Sequence, residues 1–312
     1  MMHVQDERLE RAHCSLEGLS VGDAFGERFF FHPELNQQRF ADHVLDEPPW
    51  PYTDDTQMAL SIVETLRQYG RIEQDRLAAS FAEHYDPSRG YGPSMHYQLR
   101  SIRAGKAWQE VSRGQFGGQG SFGNGAAMRV APVGAFFADD LAKVVEQASL
   151  SAEVTHTHPE AIAGSIAIAL AAAWAWRLRE SITCPTRPEF LDLLLPHVPT
   201  SEVRRKIRWA RDFSEHTSVE AAVNVLGNGL GLSAQDTVPF VLWCASTHLA
   251  DYEQALWLTA SGLGDVDTTC AMVGGIVALV RGVEHIPLAW RKAREPLPNW
   301  PFAEAFQPDG EA

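Results

Sequence analysis

Two short acidic clusters carry the most chemistry in this sequence. Thr53-Asp54-Asp55-Thr56 and Gly264-Asp265-Val266-Asp267-Thr268-Thr269 each set two carboxylates and neighbouring hydroxyls directly ahead of an apolar run with helical spacing. Each cluster has an ordinary explanation by itself, because Thr caps helices and acidic side chains in a first turn complement the helix dipole. Together they offer the all-oxygen donor set that hard divalent cations such as magnesium prefer. Four carboxylates converging without a cation would repel one another, and their pKa values would rise. A pair of metal ions would relieve that repulsion, orient a substrate and activate a water. Spacing alone leaves open whether the two clusters meet.

Three further stretches have residue types suited to a ligand site. In Gln119-Gly120-Ser121-Phe122-Gly123-Asn124-Gly125-Ala126-Ala127-Met128-Arg129 the glycines allow close approach of backbone N–H groups to an anion, although many such loops are simply turns. In Thr155-His156-Thr157-His158-Pro159-Glu160, Pro159 suits the first turn of a helix. The two histidines there are either metal ligands or hydrogen-bonding loop residues, and the oxygen chemistry of the acidic clusters favours the second reading. Gly18-Leu19-Ser20-Val21-Gly22-Asp23-Ala24-Phe25-Gly26-Glu27 has the glycine content of a closely packed helix, with a direct role in a site as the alternative.

The elements that must position these residues are helical. Apolar periodicity predicts helices over Thr56 to Tyr69, ending at Gly70, and over Ile72 to Tyr85, Asp140 to Ala152, Pro159 to Glu180 and Ser201 to Glu215. Later ones are expected over Val219 to Leu226, Thr237 to Ala245, Tyr252 to Ser261 and Thr268 to Val280. No run of alternating β-branched residues bounded by turn dipeptides occurs, so the expected class is all-α. The Pro- and Gly-rich stretches Asp86 to Ser94 and Gly114 to Gly125 sit between helices and read as functional loops. Pro296 to Pro308 reads as a surface tail pinned by Trp300 and Phe302. With no linker and no internal repeat, residues 1–312 are expected to form one domain.

Composition narrows the function. The 312 residues are 45% hydrophobic and 21% charged, as in ordinary globular proteins, and a chain of this length needs no disulfide staples. A net charge of −14 disfavours nucleic acid or anionic lipid as a partner, since phosphate contacts need clustered Lys and Arg. Cys14, Cys184, Cys244 and Cys270 form no C-x-x-C pair, which fits a reducing compartment. The polar stretch Met1 to Leu16 lacks a signal-peptide core, and the Ala-rich stretch Ala161 to Trp176 is better read as a buried helix than as a membrane span. A cytoplasmic location is expected.

The five motifs, in this order and across most of the chain, resemble the ADP-ribosylglycohydrolase family. That family includes the dinitrogenase-reductase-activating glycohydrolases and the ADP-ribosyl-arginine and ADP-ribosyl-serine hydrolases. The resemblance rests on Gly22-Asp23-Ala24-Phe25-Gly26, Thr53 to Met58, Gly120 to Pro132, Thr155 to Glu160 and Gly264 to Thr269. It implies a compact all-helical fold with two magnesium ions, or manganese in their place, in a central cleft. By the same resemblance the ligands are Thr53, Asp54, Asp55, Asp265, Asp267 and Thr268. Gly120, Ser121, Phe122, Gly123, Asn124 and Gly125 hold the diphosphate and nearby ribose, and His156 contacts ligand. Several relatives carry a glutamate four residues after the second glycine of the G-D-x-x-G motif; Phe30 stands there in this chain, and the nearest glutamate is Glu27. Either Glu27 serves from a neighbouring position or that carboxylate is absent.

The expected activity is therefore magnesium-dependent hydrolysis at the anomeric carbon of an ADP-ribosyl unit, with Asp54 or Asp55 as base and Glu27 in the acid/base set. The substrate is an ADP-ribosylated protein or a small ADP-ribose conjugate. The arginine N-glycosidic bond comes first, ahead of serine-linked, O-acyl and nucleic-acid conjugates, of a non-catalytic ADP-ribose-binding module and of a structural protein that keeps the fold without the site. The sequence leaves the oligomeric state open, a monomer included.

Overall fold

A computed structural model of the protein describes residues 2–31, 33–181 and 183–302. Its helices run in chain order as α1 (Met2–Glu27), α2 (Asn36–Asp42), α3 (Asp54–Tyr69), α4 (Gln74–Glu83), α5 (Pro93–Arg103) and α6 (Trp108–Arg113). They continue as α7 (Gln115–Gly118), α8 (Ala131–Phe136), α9 (Leu141–Glu153), α10 (Pro159–Arg177), α11 (Arg187–Leu194) and α12 (Glu202–Asp212). The last are α13 (Val219–Leu226), α14 (Ala234–Thr247), α15 (Tyr252–Ser261), α16 (Val266–Arg281) and α17 (Leu288–Ala293). Three short 3-10 turns complete the set. Among the described residues there is no strand, only two isolated bridges, Trp50 with Arg294 and Gly123 with Ser233. The all-α class expected from periodicity is the class observed.

Two helices organise the molecule. Helix α10 starts at Pro159, as the sequence predicts, and its Ala-rich body from Ala161 to Ala175 is buried on nearly every side. It is long and apolar enough to cross a membrane by length and composition, yet other helices of the fold enclose it. Helix α1 packs antiparallel against α16 along a stripe of glycines. A Cβ placed on Gly18, Gly22 or Gly26 would lie 2.3 Å from the Gly274 carbonyl oxygen, 2.2 Å from that of Cys270 and 2.4 Å from that of Val266. Residues four apart share one face of a helix, so the three glycines form one continuous flat seam. Ser15 Oγ donates to the Gly275 carbonyl at 2.8 Å, and Tyr252 Oη donates to the Gly18 carbonyl at 2.6 Å.

The packing reading of Gly18 to Glu27 is thus the observed one for its glycines. The sequence showed only the last third of α1 as helical, because the buried face of this helix is built from Ser, Gly and Ala as much as from Leu and so carries little apolar periodicity. Helix α5 begins inside the expected loop Asp86 to Ser94, at Pro93. The expected tail is pinned as anticipated where it is described: Trp300 stacks on His84 with ring centroids 3.5 Å apart, and Phe302 meets His13 edge-on at 5.3 Å. Residues 303–312 of that tail lie outside the described residues.

The antiparallel seam decides where the chemistry sits. It brings the C-terminal end of α1, with Asp23 and Glu27, beside the N-terminus of α16, with Asp265 and Asp267. Helix α3 points its own N-terminus, Thr53 to Thr56, at the same place.

Candidate active site

Asp23 anchors the centre. It is fully buried and accepts from the backbone N–H of Thr53 at 3.0 Å and of Thr56 at 3.1 Å. It also accepts from Thr56 Oγ1 at 2.5 Å and lies 2.8 Å from Thr53 Oγ1. A carboxylate from another helix therefore satisfies the free N–H groups at the start of α3, the task normally given to the N-cap side chain. Thr53 makes no capping bond to its own helix, and neither does Asp265 at the start of α16. The capping explanation for these clusters does not describe what their side chains do.

Those side chains converge instead. Carboxylate oxygens of Asp23, Asp55 and Asp267 all lie within 4.8 Å of one another. Thr53 Oγ1 is 3.0 Å and Thr268 Oγ1 is 3.4 Å from Asp55 Oδ2. Thr53 has one hydroxyl proton and two carboxylates, of Asp23 and Asp55, in reach, so it cannot donate to both. Asp55 Oδ1 and Asp267 Oδ1 are buried with no hydrogen-bond partner among the described residues. An orphaned buried carboxylate oxygen is costly unless a proton or a cation completes it. Asp54 sits beside this group, its backbone N–H bonded to the Arg89 carbonyl at 2.7 Å, so the Asp86 to Ser94 loop borders the site. Asp265 accepts from Asn124 Nδ2 at 2.6 Å.

The electrostatics follow from that crowding. Burial, and then the neighbouring carboxylates, hold Asp54, Asp55 and Asp267 well above the usual carboxylate range. Burial raises Asp265 as well, against its hydrogen bonds to Asn124 and others. Asp23 is pushed up to about 6 by burial, with the Thr53 and Thr56 bonds pulling the other way. Glu27, one turn after Asp23, is half-buried and raised to about 7 by burial and by Asp23. Such a set of oxygens, crowded, partly orphaned and at two helix N-termini, is suited to a metal ion.

The glycine loop lies against this centre and is stitched down on both sides. Asn124 Nδ2 reaches Asp265 and also Thr237 Oγ1 at 3.1 Å, while its backbone N–H donates to the Leu232 carbonyl at 3.1 Å. The Phe122 carbonyl accepts from Ala234 N at 2.9 Å, and the Ser121 carbonyl from His158 N at 3.3 Å. Ser121 Oγ accepts from Gly123 N at 3.1 Å. Gly120 has φ of +76°, and a Cβ there would meet Thr157 Oγ1 at 2.1 Å, so no other residue fits. Gly123 and Gly125 face the buried His156 ring, whose Nε2 would lie 3.1 and 3.2 Å from a Cβ at those positions. His158 Nδ1 caps α10 by accepting from Glu160 N, the hydrogen-bonding role favoured over metal ligation. Phe122 and Phe116 are exposed and stack on each other, centroids 6.1 Å apart at 25°.

Of the expected ligands, Asp55 and Asp267 meet with Asp23, Thr53 and Thr268 lie against Asp55, and Asp54 and Asp265 stand beside that triad rather than in it, while Gly123 and Gly125 face His156 and Asn124 reaches Asp265. Phe30, which holds the position of the relatives' glutamate, is exposed, whereas the charge on Glu27 reaches Asp267. Asp23 and Phe116 fell inside the stretches read as possible site or loop segments but were not named as site residues. Asp23 carried a signal, an acidic residue within an otherwise small and apolar helical face. Phe116 had a weaker one, an aromatic inside a run of glycines.

The sequence pattern described as ADP-ribosylglycohydrolase matches residues 4–307. The chain belongs to the ADP-ribosylglycohydrolase family. Among its relatives, human ADP-ribosylhydrolase ARH3 (Homo sapiens) is 28% identical over 334 residues, covering 92% of this chain and 90% of that one. The ADP-ribosylarginine hydrolase Tri1 of Serratia proteamaculans is 24% identical over 299 residues, covering 92% and 75%. A solved structure of an ADP-ribosylglycohydrolase-related protein complex aligns with a TM-score of 0.63 at 23% identity over 93% of each chain, which shows the shared fold. As an ADP-ribosylglycohydrolase the chain is a hydrolase acting on ADP-ribose conjugates, and its acidic triad is suited to a metal ion.

Proposed function

We propose that this ADP-ribosylglycohydrolase cleaves the bond between the anomeric carbon of ADP-ribose and an arginine side chain, using two magnesium ions. The observation that carries the metal-dependent reading is the approach of Asp23, Asp55 and Asp267 within 4.8 Å with buried oxygens left unpartnered. Thr53, Asp54, Asp55, Asp265, Asp267 and Thr268 are the proposed ligands, with Asp23 placed to join or brace them. Bound there, divalent cations supply Lewis acidity toward ribose hydroxyls and lower the pKa of water.

The chain's own groups do the rest. Backbone N–H groups of Gly120 to Gly125 bind the diphosphate, and the faces of Phe116 and Phe122 offer stacking to the adenine. Asp54 or Asp55 takes the proton of the attacking water. Glu27, whose carboxyl burial and then Asp23 raise to about 7, stands one turn after Asp23 and is placed to hand a proton to the departing group.

The arginine linkage is supported by the name of the Serratia relative. The ARH3 relatives match at higher identity under a name that specifies no linkage, so O-linked conjugates, serine or O-acyl, stand as the second reading. Arginine-linked and serine-linked ADP-ribosyl peptides, assayed side by side with and without a chelator, separate the two. Release from the arginine peptide alone, abolished by chelation, is the expected result; release from the serine peptide alone would overturn the linkage, and full activity in chelator would overturn the metal. A cytoplasmic location is proposed on the same footing, supported by four free cysteines.

A further inference from the structure

Arg129 is wholly buried behind the glycine loop, its guanidinium 4.5 Å from the centre of the Phe81 ring. Nη1 donates to the Gly125 carbonyl at 3.1 Å, and Nη2 donates to the Ser151 carbonyl at 3.1 Å and to Thr155 Oγ1 at 2.8 Å. Thr155 Oγ1 is also 2.7 Å from His156 Nδ1. A guanidinium has only donors, so Thr155 must accept from it. The Thr155 hydroxyl proton then has one partner in reach, His156 Nδ1. Were Nδ1 the protonated nitrogen, that hydroxyl proton would be left unpaired in a fully buried place, at the cost of an unmade hydrogen bond.

We infer that the Arg129–Thr155 pair fixes neutral His156 as the tautomer protonated at Nε2, so that Nε2–H is presented to an acceptor oxygen of ADP-ribose over Gly123 and Gly125. This rests on the function proposed above and names Arg129 and Thr155 as positioning residues for it. The His156 ring is held through Nδ1, and its Nε2 faces Gly123 and Gly125, 3.1 and 3.2 Å from where a Cβ would stand. Burial, and then the Arg129 charge, depress His156 to about 3, so the ring stays neutral at ordinary pH and offers one donor whose direction the relay determines.

Imidazole nitrogen–proton correlation spectra of the full-length protein, with the His156 signal identified by its loss in His156→Gln, read the tautomer directly. ADP-ribose titration in magnesium reads the consequence. The wild type should show Nε2–H. Thr155→Val, which keeps the shape and removes the hydroxyl, should lose that pattern and weaken ADP-ribose by about ten- to a hundredfold, the value of one hydrogen bond to a charged group. Thr155→Ser should restore both. A wild-type ring protonated at Nδ1 overturns the inference whether or not Thr155→Val folds, and so does a Thr155→Val protein in which either readout is unchanged. If the wild type fails to bind ADP-ribose, the functional reading and the ligand half of the inference fall together, while the tautomer still decides the relay.

Discussion

Asp55 and Asp267 each bury a carboxylate oxygen that nothing among the described residues completes, and Asp55 faces the charges of Asp23 and Asp267 at once. Asp55→Asn removes one of those like charges. Turnover in magnesium should fall by at least about a hundredfold, the scale seen when metal-site groups are altered, while the metal-free protein should melt at a higher temperature than wild type because repulsion is relieved. Steady-state kinetics and a melt in chelator check the two halves, and a variant that kept its turnover would remove Asp55 from the reaction. The acidic clusters were readable in the sequence because both carry their carboxylates in adjacent or alternate positions. Asp23 was legible only as an alternative reading of its glycine-rich stretch, since its function depends on Thr53 and Thr56, which lie some thirty residues further along. Arg129 was hidden for the same reason: its partners Gly125, Ser151 and Thr155 come together only when the loop folds over α9.

Among the elements, the α1–α16 seam and the glycine loop hold the geometry. Gly22→Ala would drive a methyl group to 2.2 Å from the Cys270 carbonyl oxygen, and backbone cannot yield as a side chain does. Such overpacking costs about 1–3 kcal/mol or more, and because Asp267 stands at the end of the same seam, activity should fall along with the melting temperature. Thermal melts and kcat measured on the same preparation test this; a variant as stable and active as wild type would mean the seam is looser than drawn. In the loop, Phe116→Ala and Phe122→Ala should each weaken ADP-ribose binding by about 1–3 kcal/mol and weaken ribose 5-phosphate hardly at all, which competition assays can compare. Periodicity revealed those helices that bury a broad apolar face, such as α3 and α10. It passed over α1, whose contact face is largely glycine and serine, α5, which starts in an expected loop, and the short helices α2, α6, α7, α8, α11 and α17, which have too few turns to show a repeat.

For the molecule as a whole, the buried carboxylates tie stability to protons and to metal. A carboxyl whose pKa is higher folded than unfolded takes up a proton on folding, so its contribution is full below the unfolded value and is lost as the pH rises through the folded one. Asp23 moves from 3.8 to about 6 and Glu27 from 4.5 to about 7, and Asp54, Asp55 and Asp267 move the same way. In chelator, the melting temperature should therefore drop between pH 5 and pH 8. Magnesium should flatten that slope and, at a hundred times its Kd, add about 2.7 kcal/mol of stability. Melts across this pH range with and without magnesium check both, and a metal-free protein that grew more stable toward pH 8 would contradict the burial of these groups. The antiparallel union of the first long helix with α16 has one more consequence, for biosynthesis. About 240 residues separate Glu27 from Val266, so at about 5–20 residues per second the ribosome needs roughly 12 to 50 seconds to deliver the partner. Throughout that interval the nascent chain carries half of the acidic centre and an uncovered glycine face on its first long helix.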